Sequence, residues 1–129
     1  MSEVSVRVSL PFLTLTSDTG HLLTFAAMLT RLVRMTFRPE ETDAFLELWQ
    51  INRRAIGTFP GCQQVQLLQD ATNPAVFYTL SYWNGPDDLE AYRHSPLFAR
   101  VWKATRALFA ERAQTFSMMP PPPDPGKIA

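Results

Sequence analysis

The first strong pattern in the chain is an alternation of apolar and polar residues over residues 28–38. The alternation sets Leu29, Val33, Met35 and Phe37 against Thr30, Arg34 and Thr36. An apolar residue at every second position is typical of a β-strand with one buried face. Pro39 then ends the strand, and the acidic residues that follow suit the positive N-terminal end of a helix. The sequence therefore predicts a strand followed directly by a helix.

The next segment changes to the three- and four-residue spacing of a helix, which we expect to run to about Phe59. Its apolar stripe consists of Phe45, Leu48, Trp49, Ala55, Ile56 and Phe59. Asn52 falls within this stripe, where its amide must be hydrogen-bonded or cost stability. Two interpretations stay open: a satisfied structural amide, or a side chain that points into a cavity.

Three more segments follow the turn at Pro60–Gly61. Strands are predicted at residues 62–70 and 75–83, a broken helix at residues 86–109, and a short strand at residues 113–119. In the third strand, Tyr78 and Tyr82 point one way while Phe77 and Trp83 point the other. Because both sides carry bulky groups, we expect both faces of this strand to be covered, the second most simply by another subunit.

The order of the predicted elements is β-α-β-β-α-β, with the second helix broken at Ser95–Pro96. This order is typical of an α+β, ferredoxin-like fold, an antiparallel sheet with helices on one face. Residues 28–119 are predicted to form the domain. Residues 1–27 do not share its pattern and are interpreted as a mobile arm or a gene-model extension, with an edge strand as the alternative. The proline-rich residues 120–129 predict an extended tail.

Composition excludes several classes of protein. The 12 basic and 12 acidic residues of the 129-residue chain cancel, which argues against a nucleic-acid partner. The single cysteine, Cys62, forms no internal disulfide and fits a reducing compartment. No apolar run approaches the roughly 20 residues of a membrane span, and the first residues lack the basic region of a secretory signal. We therefore predict a cytoplasmic protein, without a metal site because its two histidines lie far apart.

Four short motifs occur in this chain in the same order as in a known protein family. They are MLTRLVRMTF at residues 28–37, Phe-Pro-Gly-Cys at residues 59–62, Ser-Tyr-Trp at residues 81–83 and EAYRHSPLF at residues 90–98. Together they resemble the antibiotic biosynthesis monooxygenase (ABM) family of dimeric α/β barrels, over about residues 28–119. The resemblance implies a homodimer joined through its sheet faces, with a pocket between the sheet and the helices of each subunit.

Members of that family include oxygenases of aromatic polyketides that use no cofactor, quinol-related oxygenases and haem-degrading enzymes. Many members have a histidine where this chain has Tyr92. The haem-degrading branch needs an asparagine and a histidine at the positions that Val33 and Trp102 occupy here. Neither residue can take such a role, because valine donates no hydrogen bond and the indole nitrogen has no free lone pair for iron. Haem degradation is therefore disfavoured, although Trp83 matches that branch and His94 lies nearby in sequence.

The resemblance implies a small monooxygenase without cofactor that acts on an aromatic, polyketide- or quinol-like substrate. In such an enzyme the substrate loses a proton, and its electron-rich anion reduces oxygen in a site that excludes water. We predict His94, Tyr92 and Asn52 as the catalytic candidates, with the His94 imidazole as the near-neutral base. The predicted walls for an aromatic ligand are Trp83, Trp49, Phe45 and Trp102.

Simpler interpretations remain for these residues. The tryptophans can belong to the core, Tyr92 can bury its ring and expose its hydroxyl, and His94 can face solvent. A non-catalytic dimer that binds a small apolar molecule, or has a stress-related role, is therefore a second hypothesis. An RNA-binding module shares the order of elements, but its basic and aromatic strand motif is absent here. We expect neither nucleic acid nor membrane as a partner.

Overall fold

The computed structural model describes residues 28–122, so the predictions for residues 1–27 and for the tail beyond residue 122 lie outside the described residues. In chain order the elements are β1 (Leu29–Thr36), a 3-10 turn (Pro39–Glu41), α1 (Thr42–Gly57), β2 (Cys62–Gln69), β3 (Val76–Trp83), α2 (Pro86–Arg93), α3 (Pro96–Arg106) and β4 (Gln114–Met118). The predicted β-α-β-β-α-β order with a broken second helix is confirmed. None of the helices in this part of the chain is long and apolar enough to cross a membrane.

The four strands form one antiparallel sheet in the order β2-β3-β1-β4. Strand β1 pairs with β3 in a continuous register from Leu29 opposite Trp83 to Thr36 opposite Val76. Since side chains alternate between faces along a strand, the odd-numbered residues of β1 and β3 share one side of the sheet. That side packs against the helices, which confirms the predicted ferredoxin-like α+β fold.

Two apolar clusters hold the helices on the sheet. The first consists of Met35, Phe37, Phe45 and Phe77, and in it the Phe37 ring stacks on Phe45 with centroids 4.2 Å apart. The second consists of Leu29, Trp83 and Leu89, with Phe59, Cys62 and Tyr92 packed against it. Each cluster joins β1 and β3 to a helix, so both depend on the side-chain alternation of the central strands.

The end of the last helix differs from the prediction. The sequence pattern carried the helix to Phe109, whereas α3 ends at Arg106. Two carbonyl groups beyond that end accept hydrogen bonds from Arg38. Its Nη1 donates to the carbonyls of Ala107 and Phe109 at 3.2 and 3.1 Å. Because these groups have partners outside the helix, the chain leaves the helix there and Phe109 forms a bridge to Phe37.

The other side of the sheet faces away from the helices and carries a row of apolar residues. We call this side the open sheet face and define it by Leu32, Leu68, Tyr78, Leu80, Tyr82, Phe116 and Met118. Leu68, Phe116 and Met118 are 43%, 47% and 44% exposed. The third strand is therefore bulky on both sides, as its sequence predicts.

Gly61 controls the turn between α1 and β2, and it gives a first testable prediction. Its φ of 88° lies in the left-handed region, and a Cβ there would sit 2.5 Å from the Asp88 Cβ. We expect Gly61→Ala to lower the free energy of unfolding by about 1–3 kcal/mol, measured by denaturant titration. Gly57→Ala is the control, since its Cβ would meet only the Val65 side chain at 3.4 Å. Equal losses in both variants would contradict the prediction.

Candidate functional site

A cavity of about 260 Å³ lies between the helix-facing side of the sheet and helices α1, α2 and α3. Six aromatic side chains form much of its wall: Phe45, Trp49, Trp83, Tyr92, Phe98 and Trp102. Residues of both apolar clusters contribute to the lining, so the cavity lies between them. Its volume is slightly below the roughly 300–1,000 Å³ of typical ligand pockets, which favours a compact ligand of one or two rings.

A stacked pair, Trp83 and Tyr92, forms one wall of this cavity. Trp83 ends β3, is 1% exposed, and donates its indole N–H to the Ser81 hydroxyl at 2.9 Å. The Tyr92 ring lies on the indole with centroids 5.0 Å apart and planes 29° apart. Helix α2 begins at Pro86, with only two residues between it and the end of the strand, and places Leu89 and Tyr92 three residues apart on its inner side. The short connection from β3 to α2 thus fixes the position of the pair.

The Tyr92 hydroxyl is suited to donate a hydrogen bond rather than to accept a proton. Burial, and to a smaller extent the Cys62 thiol, raise the pKa of Tyr92 to about 12. Among residues 28–122 the Tyr92 hydroxyl has no hydrogen-bond partner in the protein. Because a half-buried hydroxyl without a partner is unfavourable, this group is available to a ligand.

The polar part of the lining consists of donors and cations. Hydroxyl groups come from Thr79, Ser81, Tyr92, Thr105 and Thr115, and guanidinium groups from Arg31 and Arg93. The Ser81 hydroxyl already accepts from Trp83, and Thr105 donates to the Val101 carbonyl at 2.8 Å. Among residues 28–122, the lining contains no carboxylate, imidazole, amine or thiol. The cavity can therefore stabilise negative charge, but none of the side chains that the described part of the chain contributes to it accepts a proton at neutral pH.

The chain matches the sequence model of a known protein family. The sequence model of the family described as antibiotic biosynthesis monooxygenase matches residues 28–104, more than half of the chain. The chain belongs to this family. The match begins at the first residue of the described domain and extends into α3, so it includes β1, β3 and the Trp83–Tyr92 pair. The family predicted from the four short motifs is thereby confirmed.

Solved structures share the fold of this ABM-family protein. A conserved protein from Methanosarcina mazei superposes with a TM-score of 0.72 at 14% identity, covering 76% of this chain and 97% of that one. A proposed antibiotic biosynthesis monooxygenase from Nitrosomonas europaea gives 0.69 at 19% identity, covering 74% and 91%. Rv0793 from Mycobacterium tuberculosis gives 0.68 at 16% identity, covering 74% and 97%. At such identities the likeness establishes the fold alone. A search of curated proteins gave no match.

The structure of this ABM-family protein brings five of the seven predicted site residues together. The four predicted ring-binding residues, Phe45, Trp49, Trp83 and Trp102, all line the cavity, and so does Tyr92. Asn52 and His94 do not. Their placement follows from hydrogen bonds that the sequence pattern does not reveal, whereas the roles of all seven residues stay predictions.

Asn52 is a satisfied amide within the helix packing. It is 7% exposed, its Nδ2 donates to the Leu48 carbonyl at 2.9 Å, and its Oδ1 accepts from Arg100 of α3 at 3.5 Å. His94 caps the end of α2 with a side chain that is 76% exposed. Its Nδ1 lies 2.9 Å from the Glu90 carbonyl oxygen. The first of the two interpretations left open for Asn52 therefore agrees with its contacts.

The positions compared with the haem-degrading branch of the family, Val33 and Trp102, both line the cavity. Neither side chain can ligate iron. Between residues 28 and 122 there is no group of three or more histidine, cysteine or acidic residues that could hold a metal ion. Burial raises the pKa of the Cys62 thiol to about 11, so this thiol has little nucleophilic thiolate at neutral pH.

Arg31, which was not among the predicted site residues, lines the cavity together with Ser81 and Trp83. Arg31 pairs with Ser81 of β3 and Ser117 of β4, on the helix-facing side of β1. The alternation of apolar and polar residues in β1 already contained a signal for Arg31. Arg31 has the parity of the apolar positions, and its neighbour Leu32 has that of the polar ones. A charged residue at a position that the alternation assigns to the buried face of a strand is a candidate for a functional role. Arg34, by contrast, lies on the opposite face of the sheet.

Proposed function

We propose that this ABM-family protein is a cofactor-independent monooxygenase of small phenolic or quinol-like ring compounds. The observation that carries the proposal is the aromatic-walled cavity between sheet and helices, with the Trp83–Tyr92 pair on one side. A flat ring in such a slot gains from aromatic contacts and displaces water from the reacting atoms. Membership of the ABM family supports oxygen chemistry as the reaction of this site. The single cysteine supports the cytoplasm as the proposed location.

In this reaction the substrate itself reduces oxygen. The phenol loses its hydroxyl proton, and the phenolate transfers electrons to O₂ as a C–O bond forms at a ring carbon that bears hydrogen, ortho or para to the phenolate oxygen. The resulting peroxide takes up the released proton. The C–H bond of that carbon and the O–O bond then break, which yields a quinone and one water. The substrate supplies all four electrons, so the reaction needs no external reductant.

Tyr92 is the group that we assign to the developing peroxide. Since the raised pKa keeps its hydroxyl protonated, it donates a hydrogen bond to the oxygen on which negative charge builds up. The stacked indole of Trp83 holds the Tyr92 ring in place. This arrangement positions one donor against the ring of the substrate and leaves the proton on the Tyr92 oxygen throughout.

Oxygen consumption by Tyr92→Phe tests this assignment. We expect the variant to consume oxygen about 100-fold more slowly than wild type, because removing a single donor to a developing oxyanion has effects of that order. The affinity for the ring compound should change little, since phenylalanine keeps the stacked ring. The measurement is oxygen uptake by metal-free protein against a panel of hydroquinones and naphthols. Undiminished uptake by Tyr92→Phe would contradict the assignment.

The same assay tests the competing prediction for His94. Because the His94 side chain is exposed and does not line the cavity, we expect His94→Ala to consume oxygen at the wild-type rate. A loss of uptake in His94→Ala, with Tyr92→Phe unaffected, would return the role to the imidazole. No uptake with any compound of the panel would remove the proposal of catalysis.

A second candidate function is the non-catalytic binding of a small ring compound. It is favoured by the cavity lining, to which residues 28–122 contribute no proton-accepting side chain. The two functions separate in one experiment with wild-type protein. Saturable binding of a naphthol without oxygen consumption supports the binding protein, and binding with oxygen consumption supports the oxygenase.

We further propose that the protein is a homodimer joined through the open sheet face. The pairing register places Leu80, Leu32 and Phe116 side by side across three strands, in the middle of that face. A contiguous apolar patch on a sheet is typical of a surface that another protein covers. Face-to-face packing of two such sheets at about 10 Å would bury these side chains against their copies.

A further inference from the structure

We propose that the cavity binds its ligand as an anion, with an acidic hydroxyl group of a phenol or enol ionised and held by Arg31. The inference rests on the proposed function only in taking the same cavity as the ligand site. It adds that the ligand is already ionised when bound, before any reaction with oxygen, and it names the residue that selects the ionised form. The class of ligand is a compact ring compound with a weakly acidic hydroxyl group, rather than a neutral ring.

Arg31 is a half-buried cation in the cavity wall, and its charge has no ion-pair partner in the described part of the chain. Its Nη1 donates to the exposed Ser117 hydroxyl at 2.9 Å. Within residues 28–122, no carboxylate lies within ion-pair distance of its guanidinium group. A guanidinium carries five N–H donors in a planar fork that suits an oxygen anion. Most of these donors therefore remain for a ligand.

Arg93, the other cation of the lining, is less suited to this role. Its Nη1 lies 2.7 Å from the Glu90 carboxylate, and its side chain is 42% exposed. The same carboxylate lies 3.6 Å from the His94 ring. Among residues 28–122, the charges that act on Arg31 are the cation of Arg93, which lowers its pKa, and the carboxylate of Glu90, which raises it. Because the Glu90 carboxylate neutralises the charge of Arg93, the positive charge of Arg31 remains available to a ligand in the cavity.

Burial adds a reason for an anion to bind at this point. Burial lowers the pKa of Arg31, and Arg93 lowers it further, although an arginine keeps its proton at any physiological pH. A partly desolvated cation without a counter-charge is unfavourable, and an anionic ligand relieves that cost. The described residues of the lining include no base, so the ligand proton leaves to water. The field of Arg31 makes this possible, since a cation within about 4–6 Å lowers the pKa of an acid by about 1–3 units.

The test uses 4-nitrophenol, whose phenolate is yellow, and 4-nitroanisole, which has the same nitro group but cannot ionise. Titration of 4-nitrophenol bound to the full-length protein should give a pKa at least about one unit below that of the free probe. By linkage, the phenolate then binds at least about tenfold more tightly than the neutral phenol. An unshifted or raised pKa in the bound state would overturn the inference, and so would the lack of saturable binding.

Three variants assign the effect to a residue. In Arg31→Gln, we expect the pKa shift to disappear and the affinity for the phenolate to fall about tenfold, with 4-nitroanisole unaffected. Arg31→Lys keeps the charge and should keep most of the shift. Arg53→Gln removes the same charge from the exposed side of α1, where Arg53 donates to Gln50, and should leave both ligands unaffected. A shift that persists in Arg31→Gln would overturn the assignment, and the wild-type titration decides the anion preference without any variant.

Failure of the inference and failure of the proposed function give different results. If both probes bind equally well and the bound 4-nitrophenol keeps its free pKa, the anion site is wrong while oxygen uptake by other phenols stands. If the bound probe ionises and no phenol or hydroquinone consumes oxygen, the anion site stands and the monooxygenase does not. The optical titration thus measures Arg31 independently of turnover.

Discussion

Replacing Trp83 by alanine is expected to lower the free energy of unfolding by about 3–5 kcal/mol, the cost of removing a buried indole and leaving a cavity. Trp83 is 1% exposed and lies in the cluster with Leu29 and Leu89. Its ring stacks on Tyr92 and meets Phe59 edge-on with centroids 6.5 Å apart. Alanine at this position removes all of these contacts and leaves the Ser81 hydroxyl without its donor.

Denaturant unfolding at one fixed protein concentration measures this loss, since dimer formation would make stability depend on concentration. Trp102→Ala is the control because it removes the same side chain from α3, where the indole is half-buried and stacks on Phe98. We expect it to lose about 1–2 kcal/mol, less than a fully buried tryptophan. A loss below about 1 kcal/mol in Trp83→Ala would show that this indole is not part of the core.

The large cost of Trp83→Ala limits its use as a probe of function. If Trp83→Ala no longer binds ligand, the cause could be a rearranged cavity wall or the lost contact between the indole and the ligand. Trp83→Phe keeps a ring against Tyr92 and removes the indole N–H that donates to Ser81. Comparing the two variants separates the contribution of packing from that of the ligand contact.

The fold was predictable because its signals are local. The period of two in β1 and β3 fixes which residues face the helices, and the observed register between Leu29 and Trp83 keeps that parity. Pro86 and Pro96 each stand at the start of a helix, and Ser95 caps α3 by accepting from the Phe98 N–H at 3.1 Å. The end of α3 was not predictable in this way. It depends on Arg38, a residue 69 positions from the carbonyl of Ala107.

The candidate site likewise has a part that follows from local sequence patterns and a part that depends on distant partners. The aromatic wall was predictable because large apolar residues on the inner faces of strands and helices meet wherever those faces meet. Whether Asn52 enters the cavity depends on rotamers and partners, and here the Leu48 carbonyl and Arg100 take its amide. His94 lies at the end of a helix, and the sequence does not predict in which direction its side chain points there. Arg31 was predictable from parity, but Leu32 beside it made the alternation of β1 less regular.

Placing a glutamate at position 80 is expected to convert the proposed dimer into a monomer. Leu80 lies between Leu32 of β1 and Gln66 of β2 in the middle of the open sheet face. In a symmetric face-to-face dimer, Leu80→Glu would bury two carboxylates without partners, which costs several kcal/mol. Light scattering coupled to size exclusion at micromolar concentration measures the change in mass. Ile51→Glu is the control, since Ile51 is 71% exposed on α1.

A monomeric wild type, or a dimeric Leu80→Glu, would contradict the proposed interface. The variant also tests how far the interface and the ligand site are independent. Leu80 and the cavity-lining residues Thr79 and Ser81 alternate along β3, so the two surfaces share a strand but no side chains. We therefore expect the Leu80→Glu monomer to bind 4-nitrophenol with nearly the wild-type affinity. Loss of binding together with the dimer would mean that the back of β3 must be covered for the cavity to keep its shape.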